Sequence, residues 1–155
     1  MSMDLEEQYD KIYRYCYFKV HQRETAEDIT QETFLRFLDS SDYVNTGKAL
    51  QYLYTIARNL CVDEYRKNKT EVLDKDVEEV ADNHSETDMM THISVKMALE
   101  KLKEADRELL LLRYVNEVPV SVICKLYGIS RFAVYRRLSQ AAKNLKSKLG
   151  EEDFT

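Results

Sequence analysis

Between Val118 and Leu149 the chain reads VPVSVICKLYGISRFAVYRRLSQAAKNLKSKL, and no other stretch constrains the fold as strongly. Val122, Ile123 and Leu126 recur at helical spacing, which predicts a short helix with one apolar side. Gly128 follows, a residue able to take the left-handed turn that ends such a helix, and Ser130 stands where an N-cap would open the next. A short helix, a glycine turn and a capped second helix make a helix-turn-helix, whose second helix enters the DNA major groove. From Arg131 to Lys148 that second helix carries six cations (Arg131, Arg136, Arg137, Lys143, Lys146 and Lys148) and no acid. Positive charge concentrated on one helix is the electrostatic footprint of nucleic-acid binding, so duplex DNA is the expected partner.

A chain of 155 residues, 44% hydrophobic and 33% charged, has room for one ordinary soluble domain or two small ones. With only three Gly and one Pro, and apolar residues recurring every three or four positions, an all-α fold is expected. No apolar run approaches the ~20 residues of a membrane span. The acidic start MSMDLEEQYD has neither the charge nor the apolar core of a signal peptide. A cytoplasmic protein without membrane insertion is the expectation. Cys16, Cys61 and Cys124 are odd in number, far apart and not arranged as CxxC, so they read as small core residues and not as disulfide, zinc or redox groups.

The net charge of −5 conceals a strong asymmetry. Residues 1–69 hold ten Lys or Arg against twelve Asp or Glu, and residues 70–92 hold one against eight. Residues 93–149 hold twelve against five, a net +7, and the tail 150–155 has three acids and no base. A basic DNA-binding module therefore follows an acidic segment.

Periodicity divides the chain along the same lines. A first helix is predicted over Leu5–Val20, with Leu5, Tyr9, Ile12, Cys16 and Val20 on one face. A second is predicted from an N-cap at Thr25 through Leu38, with Glu27 and Asp28 in its first turn and Ile29, Phe34, Phe37 and Leu38 inward. Asp39–Lys48 has loop composition, and a long helix over about Ala49–Lys67 would pack through Leu50, Leu53, Ile56, Ala57 and Leu60. From Thr70 to His92 the pattern lapses into an acidic flexible linker, with transient helix near Val72–Val80. Helical spacing returns at Ile93, with Val95, Leu99 and Leu102 in one helix and Leu109, Leu110 and Leu112 in the next. The predicted organisation is a helical domain at 1–69, a linker at 70–92, a second helical domain at 93–149 and an acidic tail at 150–155.

The N-terminal half carries two further motifs: AEDITQETFLRFL at Ala26–Leu38 and YLYTIARNLCVDEYRK at Tyr52–Lys67. Together they resemble region 2 of the extracytoplasmic-function (ECF) group of bacterial RNA polymerase sigma factors. The helix-turn-helix resembles region 4 of the same group, and the order and spacing of both agree over nearly the whole chain. The resemblance implies a transcription initiation factor that binds core RNA polymerase through its β′ clamp helices and β flap, recognises and melts promoter DNA, and is controlled by an anti-sigma factor.

Carried over by position, the resemblance places polymerase contacts at Asp28, Gln31, Glu32, Phe34 and Leu35. Phe34 has an alternative place in the core, and Asp28 and Glu32 an alternative role as a solvated acidic face at a helix start. Capture of the melted minus-ten element is implied for Tyr43, Asn45, Lys48, Tyr52, Tyr54, Arg58, Asn59 and Arg66. These residues provide what unpaired bases require: polar groups for an extruded base, aromatic faces for stacking and cations for phosphates. Tyr52 or Tyr54 could instead complete the core, and with no Trp the chain cannot melt DNA by inserting one.

Helical spacing turns Val134 and Leu138 inward, and the resemblance to region 4 implies that Ser130, Arg131, Phe132, Tyr135, Arg136, Arg137, Ser139, Gln140 and Lys143 face the minus-thirty-five element. Arg136 is suited to a guanine edge and Gln140 to an adenine, while Arg131, Arg137, Lys143 and Lys146 suit phosphates. Three departures from the family pattern affect which promoter is read more than whether one is read. Val122 replaces an acid, Phe132 and Ala133 replace a small Gly-Thr pair, and Gln140, Ala141 and Ala142 replace an Arg-rich tract.

An enzymatic role is not expected. His21, His84 and His92 are the only histidines, and the sequence has neither carboxylates at metal spacing nor a glycine-rich phosphate loop. No cofactor and no metal are expected. A conventional DNA-binding regulator that never joins polymerase is the competing class, and the region 2 motifs argue against it.

Overall fold

The computed structural model of the chain describes residues 4–40, 48–71 and 97–153. Every regular element among them is helical, as the periodicity predicts. They gather into two compact units, Met1–Glu78 and Glu79–Thr155, divided inside the acidic segment.

The first unit packs three helices against one another, α1 (Leu5–Val20), α2 (Arg23–Asp39) and α3 (Ala49–Glu71). Asp4 opens α1, its carboxylate accepting the Glu7 N–H at 3.1 Å, and His21 closes it in a left-handed conformation at φ 58°. Two of the five α1 residues predicted inward, Ile12 and Cys16, are fully buried, together with Tyr15; Leu5 is exposed. In α2 the predicted start is corrected. The helix begins at Arg23 with Gln22 as N-cap residue, and Thr25 is already inside it, its hydroxyl donating to Gln22 Oε1 at 2.9 Å. Leu38, predicted inward, is exposed, and its place in the core is taken by Ala26, Thr30 and Thr33. The threonines tolerate burial because each hydroxyl donates to a carbonyl one turn back, Thr30 to Ala26 at 2.6 Å and Thr33 to Ile29 at 2.7 Å.

Helix α3 continues to Glu71, beyond the predicted end at Lys67. Leu53, Ile56 and Ala57 are buried as expected, Leu50 and Leu60 only partly, and Tyr54 and Cys61 join the core. The Cys61 thiol hydrogen-bonds to Cys16, holding the Cys16 thiol below its ordinary pKa against the opposing effect of burial. Both are core residues without a disulfide, and Cys124 is a half-buried free thiol.

The second unit begins, among the described residues, with a helical turn at 97–100, followed by α4 (Glu104–Leu110) and a π-helical turn (Leu111–Val115). The helix-turn-helix follows as α5 (Val120–Tyr127) and α6 (Arg131–Asp153). The periodicity reading missed the wider turn after Leu110. It keeps Leu109, Leu110 and Leu112 buried while leaving Tyr114 and Val115 exposed. Leu102, Leu110 and Ala141 form a core cluster that Leu99 and Leu145 cover, tying the middle of α6 to the helices before the motif.

Candidate nucleic-acid interface

The turn of the helix-turn-helix is built as its residues dictate. Gly128 sits at φ 67° and ψ 36°, its N–H bonded to the Cys124 carbonyl at 2.8 Å, and Ile129 N–H reaches the same carbonyl at 3.2 Å. A Cβ at Gly128 would meet nothing within 4 Å, so backbone conformation alone, and not crowding, selects glycine there. Ser130 caps α6, its hydroxyl accepting the Ala133 N–H at 3.1 Å. Val134, Leu138 and Ala141 are buried and fix the rotation of α6. The opposite face is thereby committed to solvent, and all nine residues from Ser130 to Lys143 predicted for the upstream element are exposed.

Two of them are preorganised. The Arg136 guanidinium lies over the Phe132 ring, 5.6 Å from its centroid, a cation–π contact one turn apart. The Gln140 amide donates to Asn144 Oδ1 at 3.2 Å, and Asn144 in turn reaches Asp106 on α4 at 3.4 Å. The Gln140 bond uses one of the two amide N–H donors and leaves the other, with Oε1, for an adenine edge. Tyr135, Ser139, Lys143 and Lys146 also border an open groove of about 480 Å³, completed by Arg113 and Tyr114 from the π-helical turn. The sequence reading missed Arg113 and Tyr114; the unbroken apolar run before them gave no sign of the turn that brings them to α6.

In the first unit, Asp28, Gln31 and Leu35 are exposed on α2, and Glu32 is half-buried, paired with Arg36 at 2.8 Å. Leu35 and Leu38 are about 60% exposed, so an apolar edge adjoins the acidic one. Between α2 and α3 runs an open groove of about 370 Å³ lined by Asp28, Glu32, Asp63, Glu64 and Lys67 over Ile29 and Leu60. Four carboxylates in one shallow groove suit a basic protein surface. Phe34 is not part of that surface. It is 8% exposed with its ring 5.2 Å from that of Tyr9, which corrects its assignment as a polymerase contact.

On α3, Tyr52, Asn59 and Arg66 are spaced by seven residues and so lie on one stripe. Asn59 and Arg66 are exposed, as is Lys48 just before the helix. Tyr52 is half-buried against Phe37, rings 6.2 Å apart, its hydroxyl sharing a 2.8 Å hydrogen bond with Ser40. Tyr54 is corrected as a DNA contact. It points into the bundle, 1% exposed, its ring edge-on to Tyr15 at 5.9 Å. Arg58 is half-buried, and Tyr43 and Asn45 lie outside the described residues, as does the acidic segment from residue 72 onward.

Comparison with known proteins gives both surfaces a context. Residues 5–71 match the Sigma-70 region 2 family model and residues 92–145 match Sigma-70, region 4. The chain belongs to the ECF RNA polymerase sigma factors. It is 32% identical over 136 residues to the ECF RNA polymerase sigma factor EcfG of Rhodopseudomonas palustris (strain TIE-1), covering 83% of this chain and 75% of that one. It is 28% identical over 156 residues to SigW of Bacillus subtilis (strain 168), covering 90% and 83%. To BldN of Streptomyces coelicolor it is 28% identical over 158 residues, spanning 60% of that protein's length. The fold is shared with a solved sigma factor RpoE, in complex with the anti-sigma factor NepR from Bartonella quintana, at TM-score 0.69, 22% identity and 91% coverage of each chain. This sigma factor is therefore a transcription initiation factor. Among its described residues no helix is long and apolar enough to cross a membrane.

Proposed function

We propose that this ECF sigma factor binds core RNA polymerase, directs it to a dedicated set of promoters and opens them, acting in the cytoplasm while the polymerase performs the catalysis. The observation that carries this reading is the occurrence of both sigma regions, in order, in one chain. The division of labour follows the exposed chemistry. Asp28, Gln31, Glu32 and Leu35, with the carboxylates of the α2–α3 groove, dock on a basic polymerase surface. Lys48, Tyr52, Asn59 and Arg66 track the melted strand. The outer face of α6 reads the upstream duplex. The domains are assigned as region 2 at 1–69, an acidic linker at 70–92, region 4 at 93–149 and an acidic tail. Joining two modest DNA readers on one tether raises the effective concentration of the second once the first is bound.

Control by an anti-sigma factor belongs to the same proposal, supported by the fold shared with a sigma factor solved in such a complex. An inhibitor covering the α2 edge would compete directly with polymerase.

The test is run-off transcription from a genomic promoter library with cognate core RNA polymerase, with and without the purified chain. Start sites that require the chain are the expected result. DNA binding without new starts would overturn the reading in favour of a conventional regulator.

A further inference from the structure

Phe132 is 74% exposed at the second position of α6, among cations. A ring so placed contributes little to the core of its own unit, and its surroundings limit what could cover it. Arg131, Arg136 and Arg137 are all exposed nearby, and no acid occurs on α6 before Glu151. A polyanion is therefore the favoured occupant, and the N-terminal turns of a recognition helix are the part that meets base edges in the major groove.

The major groove offers an aromatic ring one apolar group, the thymine C5 methyl. The same ring supports the Arg136 guanidinium, 5.6 Å from its centroid. That contact restrains the arginine before DNA arrives, so less side-chain freedom is lost when its fork pairs with a base. The ring and the guanidinium, 5.6 Å apart, are close enough to meet two adjacent base pairs stacked ~3.4 Å apart.

We propose that Phe132 and Arg136 act as one two-base reader. The ring packs on a thymine methyl, and the guanidinium it supports pairs with O6 and N7 of a guanine in the adjacent base pair of the upstream duplex. This rests on the sigma reading above and adds to it which base step the chain demands. Phe132 is a specificity-determining residue in its own right and a positioning residue for Arg136.

The experiment uses the full chain assembled with core RNA polymerase on duplexes randomised in the upstream element. The enriched element should contain a thymine next to a guanine. Replacing that thymine by deoxyuridine removes only the methyl and should weaken binding about threefold to fivefold, as expected for one buried methyl group. With Phe132→Ala the same replacement should have no effect, and preference for the neighbouring guanine should fall by about threefold, the size expected for loss of an exposed cation–π contact. Arg136→Lys, which keeps the charge but loses the fork, should abolish the guanine preference while leaving sensitivity to the methyl. Phe132 lies outside the core, and circular dichroism of the variant checks that folding is unchanged. If an upstream element is enriched but deoxyuridine is tolerated, or Phe132→Ala retains the same sensitivity, the two-base reader is overturned and the sigma function stands. If no holoenzyme forms and no element is enriched, the sigma reading fails and the reader falls with it.

Discussion

The two units use aromatic residues in opposite ways. Among the described residues, the first buries Tyr15, Phe34, Phe37 and Tyr54, holds Tyr9 and Tyr52 half-buried against Phe34 and Phe37, and exposes Tyr65. Among the described residues, the second buries mainly Leu, Ile, Val and Ala, with Glu108 and Asn116, and leaves Tyr114, Phe132 and Tyr135 exposed. Its Tyr127 is half-buried and donates its hydroxyl to Glu108 at 2.7 Å. The distinction follows from what each surface meets. A bundle whose outer edge is acidic can use its rings for packing and present carboxylates to a basic protein. A helix that must approach a polyanion keeps compact aliphatic residues on its inner face and places its rings among cations, where stacking and methyl contacts add selectivity to charge.

The strongest way to break this comparison is to truncate one ring from each class. Tyr54→Ala should destabilise the first unit by about 3–5 kcal/mol, the usual range for removing a large buried aromatic. Phe132→Ala should change stability by no more than about 0.5 kcal/mol, as for a surface site. Urea unfolding followed by circular dichroism measures both. A Tyr54 variant of normal stability that failed to open promoters would return Tyr54 to the DNA surface and dissolve the distinction.

A second prediction separates reading from holding on the exposed face of α6. Arg136→Ala should lose about 1–3 kcal/mol of discrimination at one upstream position. Lys143→Ala should weaken all sequences alike and reduce the salt slope of binding by about one. Competition binding of holoenzyme to upstream duplexes across a salt series distinguishes the two, and equal losses on every sequence for both variants would count against direct readout by Arg136.

The turn before α6 offers a third, somewhat smaller effect. Gly128→Ala meets open space, so its penalty is conformational alone, about 1–2 kcal/mol for an L-residue held at φ 67°. Thermal unfolding should show that loss. Gly128→Asn should recover part of it, because asparagine tolerates the left-handed region better than alanine. Absence of any difference among the three residues would mean that the turn relaxes and does not fix α6.

Much of this was legible in the sequence where one residue type has one physical reading. Gly128 and Ser130 marked the turn and cap, Val134 and Leu138 the inner face, and the α1 boundaries followed from spacing. Tyrosine was the main source of error, because an amphipathic ring suits a core and a DNA surface equally well. Tyr52 and Tyr54 are two residues apart on one helix, so small changes in rotation decide which meets solvent; the packing of α1 against α3 settled it, and no local pattern could. Thr30 and Thr33 were missed because their hydroxyls are satisfied within α2, which makes polar residues behave as core. Arg113 and Tyr114 were missed because a π-helical turn changes the period at the point where they emerge.

The smallest expected effect concerns the acidic edge of α2, where structure and contact can be separated at one residue. Glu32 pairs with Arg36 four residues on, and both side chains are about half exposed. An exposed pair of this spacing contributes about 0.2–0.5 kcal/mol and is screened by salt. Arg36→Ala should therefore cost little stability and leave Glu32 available to a basic partner, so polymerase affinity should hold or rise slightly. Glu32→Gln removes the same ion pair at the same small cost in stability but should lower polymerase affinity. Titration of each variant into labelled core polymerase makes the comparison. Equal affinities for the two variants would assign Glu32 to the helix alone, and the acidic edge would then owe its partner to Asp28 and the apolar Leu35.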